Sequence, residues 1–91
     1  DHVDLAFEEY NERHDEIVAK VLEEIALLPD RSREVMNGVF VEGLKYREVA
    51  ERYGISLSTV KTLLSNSVKK LRERLDDEFF AGFLLFFYVL K

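Results

Sequence analysis

Several residue types that mark particular folds are absent or rare in this chain of 91 residues. There is no cysteine, which excludes disulfides and thiolate metal sites and suits a reducing cytoplasm. One proline and four glycines are too few for a β protein with many turns, and a hydrophobic content of 47% is too high for a disordered chain. We therefore expect one all-α domain, a small bundle of four to five helices.

The chain also lacks a long hydrophobic run. Its longest uncharged apolar stretch, residues 79–90, has twelve residues, whereas a membrane-spanning helix needs about 20. The start of the chain has neither the basic nor the apolar region of a secretory signal. The first residue is not Met, so a fragment of a longer protein is expected. These features predict a cytoplasmic protein without a membrane span.

Helix-breaking residues divide the N-terminal half. Apolar residues recur at offsets of 3, 4 and 7 across residues 5–28, which predicts an amphipathic helix with an irregular start before Asp15. Pro29 ends this helix, because the residue before a proline avoids the helical conformation while proline suits a first helical turn. The second helix is expected to stop at Gly43, which takes the left-handed conformation at no steric cost.

A short helix, a glycine turn and a longer helix follow. Residues 46–53 have helical apolar spacing and are closed by Gly54. Ser56 or Ser58 can accept a hydrogen bond from the first amides of the next helix. Periodicity leaves open whether that helix runs unbroken into the C-terminal tail or bends, near Asp76 or near Gly82.

The stretch from Tyr46 to Ser65 has the spacing of a helix-turn-helix. A small residue, Ala50, stands where the two helices cross closely, and Gly54 stands where the turn requires a positive φ. Five apolar residues fall at positions that join the two helices: Val49, Tyr53, Ile55, Val60 and Leu63. All seven positions fit, which favours DNA binding over a purely structural hairpin.

The second motif helix has one apolar face and one polar face. Five residues are expected to turn inward: Val60, Leu63, Leu64, Val68 and Leu71. The outward residues are short hydroxyls, one amide and lysines: Ser58, Thr59, Lys61, Thr62, Ser65, Asn66 and Lys69. Short polar side chains can approach base edges, and cations bind phosphates. No acid occurs from Ser56 to Arg72, whereas a merely solvated face would mix Glu with Lys.

Charge is distributed unevenly along the chain. The net charge is −5, which is unfavourable for a DNA-binding protein. Residues 1–44 hold 4 Lys or Arg against 12 Asp or Glu, but residues 45–74 hold 8 against 3, a local charge of +5. The helix-turn-helix is therefore basic within an acidic chain, and we expect the free domain to bind DNA weakly.

Four segments together resemble region 4 of sigma-70 family factors, most nearly those of the extracytoplasmic-function (ECF) group. They are Leu28–Val35, Val41–Ala50, Gly54–Lys61 and Lys69–Arg72, and the resemblance covers residues 25–75. A short C-terminal run of Leu and Phe is also typical of similar factors in Bacteroidetes. The resemblance divides the single domain of residues 1–91 into three parts: an N-terminal helix or linker (1–28), a region 4 core (29–75) and a hydrophobic tail (76–91).

The resemblance implies a promoter-recognition module of bacterial RNA polymerase, whose recognition helix enters the major groove of the minus-35 element. Implied base and backbone contacts are Ser58, Thr59, Lys61, Thr62, Ser65 and Asn66. Implied phosphate contacts are Lys45, Tyr46, Arg47, Lys69 and Lys70. Many relatives have arginines where this chain has Ser65 and Asn66, so Lys61 or Asn66 is expected to read a base other than the guanine of a bidentate Arg contact.

The resemblance also implies docking on the polymerase flap, partly through the helix of residues 30–41 and residues near Phe40 and Leu44. Two other interpretations remain open. A response-regulator-type output domain also has Thr-Val-Lys early in its recognition helix, although the Leu28-Pro29 entry and the long tail speak against it. Alternatively, the domain is an interaction module bound by an anti-sigma factor. The aromatic tail is expected to pack within the domain or across a homodimer.

No residues suggest catalysis or metal binding. The chain has no Ser/His/Asp set, paired catalytic acids or Gly-rich phosphate loop, so we expect no enzyme activity and no cofactor. His2 and His14 lack metal-ligand spacing and are expected to be exposed to solvent. The acids between Asp1 and Glu24 are expected to form a solvated helix face.

Overall fold

The structure is a computed structural model that describes the backbone of residues 2–89 and the side chains of residues 12–88. Five α-helices account for most of this range, and it contains no strand: α1 (His2–Ala26), α2 (Asp30–Met36), α3 (Tyr46–Tyr53), α4 (Leu57–Arg74) and α5 (Asp77–Phe83). Two π-helical segments, Asn37–Val41 and Leu84–Val89, continue α2 and α5. The predicted all-α fold is confirmed.

The first two helix boundaries follow from Pro29 and Gly43. Pro29 precedes α2 with a φ of −54°, and its carbonyl accepts the Arg33 N–H at 2.8 Å. Gly43 has a φ of +75°, which lets the Leu44 N–H reach back to the Gly38 carbonyl at 2.9 Å. The prediction of an irregular start before Asp15 is wrong, because α1 is continuous from its first residue.

The break between α4 and α5 lies at Leu75 and Asp76. Leu75 is extended, with φ −91° and ψ 144°. Asp76 then caps α5, since its Oδ1 accepts the Phe79 N–H at 2.9 Å. Of the two bends left open by the sequence, the one near Asp76 therefore occurs.

The core lies between α4 and the helices around it. Helices α2 and α3 pack on α4, and α1 packs on both α4 and α5. The most deeply buried aliphatic side chains come from helices α1 to α4: Val21, Ile25, Val35, Val49, Val60 and Leu71. This arrangement holds the two helices of the motif against a common support.

The C-terminal tail packs inside the domain. Phe83 has no exposed surface and stacks on Phe87, with ring centroids 5.8 Å apart. Gly82 lies directly against Ile17 of α1, where an added methyl group would collide with the isoleucine side chain. Aromatic side chains of the tail therefore complete the core that α1 begins.

Two polar residues of α1 are less exposed than predicted. The His14 ring is half-buried and meets the Phe86 ring edge-on at 4.5 Å, because the tail folds back over it. Glu24 is only 7% exposed and lies between Lys20 at 3.7 Å and Arg74 at 3.5 Å. The expectation of solvent exposure is wrong for Glu24, whereas the His14 side chain stays 38% exposed. The His2 side chain lies outside the described residues.

Candidate nucleic-acid interface

The turn between α3 and α4 has the geometry that its sequence predicts. Gly54 is left-handed, with a φ of +63°, and its N–H donates to the Ala50 carbonyl. The Ile55 N–H donates to the same carbonyl at 3.0 Å. Val49 and Val60 are fully buried across the turn. The two helices thus form a tight helix-turn-helix, and the positive φ of its turn favours glycine at position 54.

Side-chain caps fix where both motif helices start. At α3, a Glu48 carboxylate oxygen accepts the Lys45 N–H at 2.9 Å. At α4, the Ser56 Oγ accepts the Thr59 N–H at 3.0 Å, so Ser56 and not Ser58 is the cap. The Thr59 hydroxyl is also hydrogen-bonded to Ser56, at 2.8 Å. Because the Thr59 hydroxyl takes part in capping α4, its methyl group is the part of the side chain most available for other contacts.

Helix α4 separates buried and exposed faces as predicted, with one addition. Val60, Leu64 and Leu71 are buried, and Leu63 and Val68 are partly buried. All eight predicted contact residues on this helix are exposed: Ser58, Thr59, Lys61, Thr62, Ser65, Asn66, Lys69 and Lys70. Sequence reasoning missed one inward residue, Ser67, which is 1% exposed. Helical periodicity could have predicted its burial, because Ser67 lies one helical turn from both Leu64 and Leu71.

The start of α3 extends the exposed face of α4. Lys45, Tyr46 and Arg47 are all exposed. Together with the capping Glu48, and with Leu57 and Lys61 of α4, they line one continuous shallow depression. Residues from the two motif helices thus share one surface, as an interface with a DNA backbone requires.

Each flank of α4 borders a different part of the fold. On one flank, Tyr46 lies beside Lys61, Ser65 and Lys69. On the other, Ser32 of α2 lies beside a second set of α4 residues, which includes one acid: Asn66, Lys69, Lys70 and Glu73. Ser32 did not emerge from the sequence, because its place on this flank depends on how α2 packs against α4.

Ion pairing divides the described lysines and arginines into two groups. Six contact a carboxylate within 4.0 Å: Arg13, Lys20, Arg31, Arg33, Arg52 and Arg74. Arg72 instead lies over the Phe80 ring, 5.9 Å from its centroid. Besides Arg72, five more have no carboxylate within that distance among the described residues: Lys45, Arg47, Lys61, Lys69 and Lys70. These five are the cations of the predicted interface.

Arg52 illustrates the paired group. Its Nη1 lies 3.0 and 3.1 Å from the two carboxylate oxygens of Glu42. The hydrogen bond to Glu42 is the main cause that raises the pKa of Arg52 above its ordinary value. This arginine ties α3 to the loop before it, and its charge is already balanced by an acid.

Comparison with known proteins gives one match. A family model described as "Sigma-70, region 4" matches residues 24–73, which is more than half of the chain. No curated protein and no solved structure matches. All eleven predicted contact residues lie within the matched range, whereas α5 and the tail lie beyond it. None of the described helices has the length and the apolar run that a membrane span requires.

Proposed function

The chain belongs to the sigma-70 region 4 family, and from this premise we propose that it recognises the minus-35 element of promoters as region 4 of an ECF sigma factor. Membership in this family implies a DNA-binding helix-turn-helix that acts with RNA polymerase in transcription initiation and not in catalysis. The same membership favours a sigma factor over a response-regulator output domain. The finer assignment depends on the exposed face of α4.

The distribution of unpaired cations carries this proposal. Acids elsewhere in the described chain balance nearby cations, but Lys45, Arg47, Lys61, Lys69 and Lys70 have no such partner and lie on or beside the exposed face of α4. Unpaired cations repel one another, and this repulsion destabilises the fold unless an external anion balances their charge. A phosphate backbone along this face would supply that charge.

The centre of the face is suited to base edges. Ser58, Thr62, Ser65 and Asn66 are short, polar and exposed, so α4 can approach the floor of a major groove closely. Asn66 can form a bidentate hydrogen bond with adenine, and Lys61 can donate to an acceptor such as the O4 of thymine. We assign base reading to these residues, and phosphate binding to the cations at the start of α3 and the end of α4.

Polymerase docking is proposed for a separate surface. The second helix and its π-helical continuation present Val41, which is 51% exposed, and end at the loop that carries Leu44. The exposed Val41 and the loop after it would be the part of this region that contacts the polymerase flap. The tail is not proposed as a dimer interface, because Phe83 and Phe87 are used within their own domain.

Two lysine substitutions test the assignment of the face. Binding of the chain to a duplex library with a randomised centre, measured at low salt and read by sequencing, gives its sequence preference. We expect Lys61→Ala to change that preference and to cost about 1 kcal/mol or more on the preferred duplex. We expect Lys69→Ala to weaken all duplexes alike, because a phosphate contact carries no sequence information. Unchanged binding in both variants would contradict the assignment.

A further inference from the structure

A cleft of about 340 Å³ lies along one flank of α4 and is shared with the C-terminal tail. Lys61, Ser65 and Lys69 form its α4 side, and Tyr46 lies at the start of α3. The tail contributes Tyr88, which lies beyond the residues matched by the family model. A residue outside the family region therefore borders the cations of the proposed DNA face.

Tyr88 is packed against the domain on one side and exposed to solvent on the other. Its ring packs against Phe40, with ring centroids 5.6 Å apart. The preceding residue, Phe87, is 9% exposed and is stacked on Phe83 in the core, which fixes the local backbone. Tyr88 itself is 53% exposed. Its ring is anchored while part of its surface faces the solvent beside α4.

The position of the cleft on α4 suggests which part of DNA it would face. Thr62 lies opposite the buried stripe of α4, at the centre of the exposed face, whereas Lys61 and Val68 lie toward the cleft. Lys69 lies two turns beyond Thr62, toward the end of α4, and its long side chain also lines the cleft. When a helix enters a major groove with its exposed centre toward the base edges, its flanks face the two phosphate backbones. The cleft would then lie under one strand.

We propose that Tyr88 is a further DNA contact, whose phenolic hydroxyl donates a hydrogen bond to a phosphate that Lys69 also binds. This inference rests on the proposed function, since it assumes that α4 enters the groove. Tyrosine hydroxyls are among the side-chain groups that bind phosphate oxygens. The hydroxyl adds a donor without adding charge, so its contribution differs from that of a lysine in a measurable way.

The salt dependence of binding separates the two kinds of contact. Affinity for one preferred duplex would be measured over a range of salt concentrations for the wild type, Tyr88→Phe and Lys69→Ala. We expect Tyr88→Phe to weaken binding about 3- to 10-fold at every salt concentration, with an unchanged slope of log K against log salt. Lys69→Ala should lower the magnitude of that slope by about one.

A substitution elsewhere in the tail serves as the control. Leu85→Ala removes an exposed apolar side chain of the tail that does not line the cleft, and it should leave affinity unchanged. Unchanged or tighter binding of Tyr88→Phe, together with weaker binding of Lys69→Ala, would overturn the role of Tyr88 alone. Unchanged binding in both variants, or no DNA binding by the wild type, would overturn the proposed function as well.

Discussion

Ser67 is the one residue of α4 whose polarity conflicts with its position. It lies on the core side of the helix, 1% exposed, and its Oγ has no hydrogen-bond partner among the described residues. A buried hydroxyl without a partner keeps the cost of its lost hydration. This serine therefore lowers stability without contributing to the exposed face.

Replacement of Ser67 by alanine should stabilise the domain. We expect Ser67→Ala to raise the free energy of unfolding by about 1 kcal/mol, because it removes the buried hydroxyl and favours the helix. Urea unfolding followed by circular dichroism measures this change. Ser65→Ala is the matched control on the exposed face and should give only the helix-propensity gain of about 0.5 kcal/mol. A less stable Ser67→Ala variant would show that the hydroxyl is hydrogen-bonded.

At the scale of elements, the tail is part of the domain and not an appendage. Helix α5 packs on α1, where Gly82 meets Ile17, and a salt bridge joins Arg13 to Glu78. An exposed ion pair of this kind contributes little, so the buried aromatic rings dominate the attachment. The tail and α1 should therefore unfold together with the helix-turn-helix.

Truncation of Phe83 tests this attachment. We expect Phe83→Ala to lower the free energy of unfolding by about 3–5 kcal/mol, because it empties a fully buried site. Leu85→Ala, at a site 45% exposed, should cost less than about 1 kcal/mol. Urea titrations of both variants give the comparison. Equal small losses would mean that the tail is not part of the core.

The sequence predicts those helix boundaries that single residues impose. Pro29, Gly43 and Gly54 each have a backbone preference that neighbouring residues cannot replace, and all three act as predicted. The break after α4 was ambiguous because Leu71, Leu75 and Phe79 keep a four-residue spacing through it. Only the observed Asp76 cap distinguishes a bend there from a continuous helix.

Side-chain surroundings were harder to predict than helix positions. Glu24 is polar by type, but its neighbour Arg74 comes from a helix 50 positions later in the chain, so its burial depends on tertiary packing. Ser32 and Tyr88 reach the flanks of α4 for the same reason. By contrast, the exposed residues of α4 could be predicted, because helical periodicity alone assigns their face.

At the scale of the whole molecule, the net charge of −5 conceals two different surfaces. Acids of the first 44 residues balance cations of their own helices, as Glu34 does for Arg31 at 2.8 Å. The five interface cations, Lys45, Arg47, Lys61, Lys69 and Lys70, have no such partners among the described residues. An acidic chain can thus present a basic face, although the surrounding acids weaken its long-range attraction for DNA.

The salt dependence of DNA binding tests this central claim most directly. Each phosphate neutralised by a cation contributes about −0.9 to the slope of log K against log salt, so the four cations assigned to phosphates, Lys45, Arg47, Lys69 and Lys70, predict a slope of roughly −3 to −4. Replacing Lys69 and Lys70 together by alanine should reduce its magnitude by about 2, whereas Lys20→Ala, which removes an ion-paired lysine of α1, should leave it unchanged. A slope near zero, or equal slopes for the double variant and Lys20→Ala, would contradict the account.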